Sequence, residues 1–270
     1  MLANPFHCLF CLSSKGPFTK QEHPIPESLG NDDMILPPGY VCDSCNQYFG
    51  AAIEQEALAK APFSVARVAQ AIRNKKGRYP IVSGSGLCLQ SSGYWDRFLL
   101  RSDPPHRHMR LLRDGRLVLN PQWVHPQLFV RFLLKIGLEI SVLSREVNPY
   151  TPNFDAARLC ARRGCKAKEW DFAFGLYPNR DDLVTFTRSD EIGPLETRQI
   201  YQWEMGVMES GDVMFNFIYE TMIFAVNLSR PPACEYILGF NLRNDFSIHS
   251  RWSGIPKSQG GTWGQSALRR

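Results

Sequence analysis

At 270 residues, with 44% hydrophobic and 21% charged content, the chain is an ordinary globular sequence, long enough for one large domain or for a small module beside a larger one. A formal net charge of +5 and a pI near 8.8 fit contact with a polyanion without demanding it. No run approaches the ~20 apolar residues that span a bilayer, and Met1-Leu-Ala-Asn-Pro enters the first cysteine pair with no signal-peptide pattern, so a cytoplasmic protein without a membrane partner is expected.

Residues 1–62 read as a cysteine module, rich in Pro, Gly and Asn up to Gly39 and helical afterwards. NQYFGAAIEQEALAK, residues 46–60, has good helix formers and places Phe49, Ile53 and Ala57 on one face, and Pro62 closes it. A second helix is predicted from Phe63 to Arg73, ending in the basic turn 74–77. Short strands follow over 78–120, among them a hairpin in MRLLRDGRLVLN around Asp114-Gly115.

PQLFVRFLLKIGLEISVLSRE reads as a core helix, with Leu128, Phe132, Ile136 and Ile140 at helical spacing, and FDAARLCARR as a short one stopped by Gly164. Strands are predicted in LVTFTR, TRQIYQWEMGVME, DVMFNFIYETMIFAVNL and CEYILGFNL, forming an antiparallel sheet. The domain division expected is therefore 1–62, a mixed α and β domain over 63–249, and a loosely ordered tail over 250–270. The fold class is α+β.

Chemistry concentrates at the start. Cys8-x-x-Cys11 and Cys42-x-x-Cys45 each turn two sulfurs the same way, and together they supply a closed tetrahedral set for one zinc ion. A zinc ribbon that only holds a fold is the plain account of that pattern. The 30 residues between the pairs hold Glu22-His23-Pro24-Ile25-Pro26 and Leu29-Gly30-Asn31, and Asn46 follows the second pair directly.

Cys8, Cys11, Glu22, His23, Pro26, Leu29, Gly30, Cys42, Cys45, Asn46, Phe49 and Gly50, in that order, resemble the HNH endonuclease family, in its branch whose ββα-metal motif is stitched by four cysteines. The resemblance implies a phosphodiester hydrolase acting on DNA, with His23 as general base and with Glu22 and Asn46 as ligands of a catalytic Mg²⁺ or Mn²⁺. It also implies that Cys8, Cys11, Cys42 and Cys45 hold structural zinc. It extends to restriction or phage-defence settings, with a homodimer or a defence partner. The family's middle Asn falls near Leu36-Pro37, which leaves Asn31 to orient His23, and Glu replaces the commoner Asp before the histidine.

A neutral imidazole, with an unperturbed pKa of ~6.5, can take a proton from water at cellular pH. Oxygen ligands suit Mg²⁺ or Mn²⁺, and thiolates suit zinc. His23 alone also reads as a loop histidine, and Asn46 as a helix cap. Glu54, two turns beyond Asn46, reads as a solvated or supporting carboxylate. His106 and His108 read as an exposed cationic loop, and Cys160 and Cys165 as ordinary thiols. Arg158, Arg162, Arg163, Lys166 and Lys168 cluster around one short helix, where they could track a nucleic-acid backbone. The competing functions are a non-catalytic zinc module that binds nucleic acid or protein, and an RNA nuclease.

Overall fold

The structure, a computed structural model, describes residues 6–74, 76–84, 86–94, 98–102, 109–111, 113, 117–119, 121–164, 170, 172–176, 200–220, 222–231 and 246–249. The strands predicted in LVTFTR and CEYILGFNL, the tail from Ser250, His106, His108, Cys165, Lys166 and Lys168 all lie outside these residues. No helix among those described is long and apolar enough to cross a membrane.

The mixed α and β class is borne out. After the first cysteine turn, Glu22 pairs with Leu36 in an antiparallel bridge, and a short 3-10 turn, Glu27–Leu29, lies between them. Gly30 ends that turn at φ 86°, a left-handed backbone angle that favours glycine. The second cysteine turn opens α1 (Asp43–Phe49), which runs through a π turn (Gly50–Glu54) into α2 (Gln55–Ala59). Phe49, Ile53 and Ala57 share the buried face, as their spacing predicts. Helix α3 (Phe63–Ala69) stops four residues short of the expected Arg73.

Strands β1 (Ile81–Gly84), β2 (Leu87–Ser91) and β3 (Phe98–Ser102) make an antiparallel sheet whose inner residues Leu87 and Leu89 cover Val68 of α3. β4 (Met109–Leu111) and β5 (Leu117–Leu119) form the predicted hairpin. A second sheet, antiparallel throughout, runs in the order β10-β6-β9-β8-β7: β6 (Phe172–Leu176), β7 (Tyr201–Val207), β8 (Val213–Tyr219), β9 (Met222–Asn227) and β10 (Phe246–His249). The β8–β9 hairpin was legible in DVMFNFIYETMIFAVNL, whereas β6 was not.

Helix α4 (Pro126–Ser144) sits between this sheet and the cysteine module. Gly137 lets it approach the sheet: a Cβ there would come within 2.9 Å of the Phe215 ring and 2.7 Å of Leu228. Lys135, two residues earlier and so about 200° around the helix, faces the module instead. Burial is continuous from Phe132 to Val142, which explains why the helix reads as apolar on every side, while Leu128 is only half-buried. Phe63 lies within 5.4–5.7 Å, centroid to centroid, of Phe129, Phe132, Tyr219 and Phe224. A single apolar cluster therefore runs from Cys8 to Leu228 across module, helices and sheet.

Helix α5 (Asp155–Arg163) ends at Gly164 as expected. Arg131 of α4 donates to its terminal carbonyls, at 3.1 Å to Ala161 and 3.0 Å to Arg162, where a cation also complements the helix dipole.

Candidate active site and zinc centre

Cys8, Cys11, Cys42 and Cys45 bring their sulfurs within 4.8 Å of one another, and Cys11 and Cys42 stand 3.8 Å apart. A tetrahedral ion with Zn–S bonds of 2.3 Å needs sulfurs about 3.8 Å apart, so the donor set and its spacing fit zinc. The thiol of Cys45 hydrogen-bonds Cys8 and pulls its pKa down to about 4, whereas burial pushes Cys11 up to about 11. Cys45, as donor to Cys8, is raised further. Four thiols this close cannot all ionise unaided, and a dication is what would let them. Cys160, expected as an ordinary thiol, is disulfide-bonded.

The segment before Glu22 is laid along α1 by two side chains. Asp43 accepts from the Thr19 and Lys20 amides at 2.8 and 3.0 Å and from the Thr19 hydroxyl at 2.6 Å. Asn46 donates its amide to the Gln21 carbonyl at 3.0 Å. Cys42, not Asn46, occupies the N-cap, so Asn46 sits inside the first turn of α1 with its side-chain nitrogen committed to the Gln21 carbonyl.

His23 is mostly buried. Its Nε2 lies 3.1 Å from Oε1 of Glu27, and its Nδ1 is covered and has no hydrogen-bond partner. A neutral ring satisfies this contact by carrying its proton on Nε2, which leaves the lone pair on Nδ1. Asn31 directs its hydrogen bonds elsewhere than to the ring. It is fully buried and braces the loop, donating to the carbonyls of Ile25 (2.6 Å) and Met34 (2.8 Å) and accepting from the Met34 amide (2.8 Å). The residue against the ring is Glu27, which the sequence reading passed over.

Glu22 is turned inward onto Lys135, whose Nζ lies 2.6 Å from Glu22 Oε1, 2.8 Å from Glu54 Oε1 and 2.9 Å from Glu139 Oε2. The same ammonium reaches the carbonyls of His23 (3.1 Å) and Pro24 (3.4 Å). Burial would pull Lys135 down, but the carboxylates of Glu139, Glu22 and Glu54 outweigh it and hold its pKa well above the usual lysine value. Burial raises Glu22 and Glu139, and one cation cannot compensate three carboxylates. Glu54 is thus part of an ionic cluster and not a solvated helix face. Lys135 and Glu139 went unread, although two opposite charges four residues apart, each flanked on both sides by apolar residues, were visible signals.

Among the described residues, Arg158, Arg162 and Arg163 do not form one track. Arg158 is 2% exposed and spends its guanidinium on the carbonyls of Pro149 and Thr151 and on Asp155. Arg162 lies beside the sulfurs of Cys45, Cys11 and Cys42; burial lowers its pKa, and its interaction with those sulfurs, Cys45 above all, outweighs burial and raises it. Arg163 is exposed.

Residues 8–61 match the family model of HNH endonucleases. The match begins at Cys8 and ends just after α2, so it takes in Glu22, His23, Asn46 and Glu54 and leaves out Lys135 and Glu139. No curated protein and no solved structure gives a significant match.

Proposed function

We propose that the protein is a zinc-stabilised HNH endonuclease that hydrolyses phosphodiester bonds of DNA, with His23 as general base. The observation that supports this best is the joint placement, within the matched segment, of a four-sulfur zinc cage, His23 on the loop it closes, and Asn46 immediately after the second cysteine turn. A match to a nuclease family implies a nucleic-acid substrate, and resemblance alone supports DNA over RNA and a setting in phage defence.

His23 takes a proton from the attacking water through Nδ1, the ring nitrogen that Glu27 does not hold, and because that atom is covered as placed, the covering side chains must shift to admit the water. The zinc cage does no chemistry on the substrate: its thiolates fix the ends of the loop that carries Glu22 and His23. HNH domains use a divalent ion, which supplies charge stabilisation on the phosphate when bound. The expected oxygen donors, Glu22 and Asn46, do not make an open cage as placed. Glu22 is buried against an ammonium, and a cation would gain its carboxylate only by displacing that pair. This favours, as second reading, a module that binds nucleic acid without cutting it.

The deciding experiment incubates supercoiled plasmid with the protein and Mg²⁺ or Mn²⁺, beside His23→Ala with matched zinc content. Nicked or linear product from the native protein alone supports the nuclease. Plasmid retardation without cleavage by either protein leaves the binding module, and cleavage of RNA in place of plasmid reassigns the substrate.

A further inference from the structure

Lys135 belongs to no motif of the matched segment, yet it makes three polar contacts to the Glu22-His23-Pro24 run. Its ammonium has three N–H donors and is surrounded by five oxygens: the carboxylates of Glu22, Glu54 and Glu139 and the carbonyls of His23 and Pro24. It is fully buried, so water does not compete for those donors. Glu22 precedes His23 and the Pro24 carbonyl follows it. The backbone that aims the ring is therefore gripped on both sides by one cation on a helix outside the module.

We propose that Lys135 is a positioning residue for His23. It acts through the Glu22 carboxylate and the His23 and Pro24 carbonyls, so that the active loop is completed by the α4 part of the chain. This rests on the nuclease reading of His23. The geometry explains why α4 carries a charged pair, Lys135 and Glu139, where each neighbouring position is apolar: the helix supplies both the clamp and one of its counter-charges. It also explains the inward turn of Glu54 at the end of the π turn, since a second carboxylate from the module fixes α1 and α2 against the same point.

The test compares full-length Lys135→Met and Lys135→Arg with Gly137→Ala, which disturbs the sheet side of the same helix without touching the ammonium. Zinc content and circular dichroism report the fold, and the resonances of the His23 ring, assigned with His23→Ala, report its setting. For folded Lys135→Met we expect kcat to fall about 100-fold with KM held within about twofold, the signature of a misplaced reacting group. The His23 signals shift in this variant and stay put in Gly137→Ala.

Folded, zinc-loaded Lys135→Met with native kcat and unmoved His23 signals overturns the proposal. So does an equal loss in Gly137→Ala, which would mean that any weakening of α4 suffices. Should Lys135→Met fail to fold, Lys135→Arg decides by the same measures, and collapse of both overturns positioning in favour of a purely structural cation. If the native protein shows no His23-dependent cleavage, the nuclease reading fails by itself and the ring resonances still judge the clamp.

Discussion

Tyr201 donates its hydroxyl to Oδ1 of Asn31 at 3.0 Å, joining the first residue of β7 to the loop that carries His23 across 170 residues of sequence. Asn31 is the hub, because its amide and carbonyl already satisfy three backbone groups, the Ile25 carbonyl in a buried bond and the Met34 carbonyl and amide in part-buried ones. Asn31→Ala strands all three and is expected to cost about 3 kcal/mol, against about 1 kcal/mol for Tyr201→Phe. Denaturant unfolding of the two variants reads the difference, and equal losses would contradict the hub. Burial, then Asp33 and Asp32, push the Tyr201 phenol up to about 12. Its folded pKa lies above the unfolded value of about 10, so the unfolded chain gives up the proton first and stability falls as pH rises from about 10 to 12. Tyr201→Phe is expected to lose less stability than the native protein over that window.

Glu27 sets which nitrogen of His23 carries the proton. Removing its carboxylate frees the ring to rotate or to exchange tautomers. For Glu27→Ala we expect a loss of about tenfold in kcat, the scale on which supporting hydrogen bonds matter, with Glu27→Gln intermediate because it keeps one acceptor oxygen. Glu27 is partly exposed, so the fold should tolerate both changes. Side-chain ¹⁵N spectra are the direct check: the native ring should carry its proton on Nε2, and finding it on Nδ1 would reverse the assignment.

The parts of the site that could be read in advance are those written in local spacing. The two cysteine pairs, His23, Asn46 and the face of Phe49, Ile53 and Ala57 each depend on residues within a turn or two of one another, and the structure places the sulfurs and that face as the spacing implied. What escaped depends on distant packing. Lys135 meets Glu22 across 113 positions, and no period or motif encodes that meeting, only the oddity of a lysine in an apolar helix. Arg158 was misplaced for the converse reason: its spacing with Arg162 suggested a surface, and tertiary contact with Pro149 and Thr151 drew it inside. Strand β6 was missed because its short apolar run has no turn signal ahead of it.

Asp43 offers a test of how the loop is docked. Its carboxylate holds the Thr19 hydroxyl, the Lys20 amide and the Thr19 amide, and these bonds keep its pKa below the ordinary aspartate value. Asp43→Ala removes all three at the N-terminus of α1, where a negative charge also complements the helix. We expect a lower melting temperature and faster loss of zinc to a chelator, with Asp43→Asn between the variant and the native protein. An Asp43→Ala protein that melts and releases zinc like the native one would show that Asn46 alone holds the segment.

Zinc removal should cost more than a local loop. Cys8, Cys42 and Cys45 lie in the same apolar cluster as Phe49, Ile53 and α4, so four thiols freed of their ion would leave charge or unpaired polar sulfur inside the main core. Chelation is therefore expected to lower the melting temperature of the whole protein, sheet included, and not to release the first 60 residues as an independent unit. The hydrogen bond that Cys45 donates to Cys8, together with burial and the neighbouring sulfurs, raises Cys45, and burial first of all raises Cys11, so both favour the protonated thiol without the ion. Zinc must therefore expel protons as it binds, and its affinity falls as pH falls. Calorimetry in buffers of different ionisation enthalpy counts the protons released per zinc, and metal-sensitive dye release on acidification checks the sign. Zinc binding that releases no protons, or that tightens toward acid pH, would mean that the four sulfurs are not its ligands.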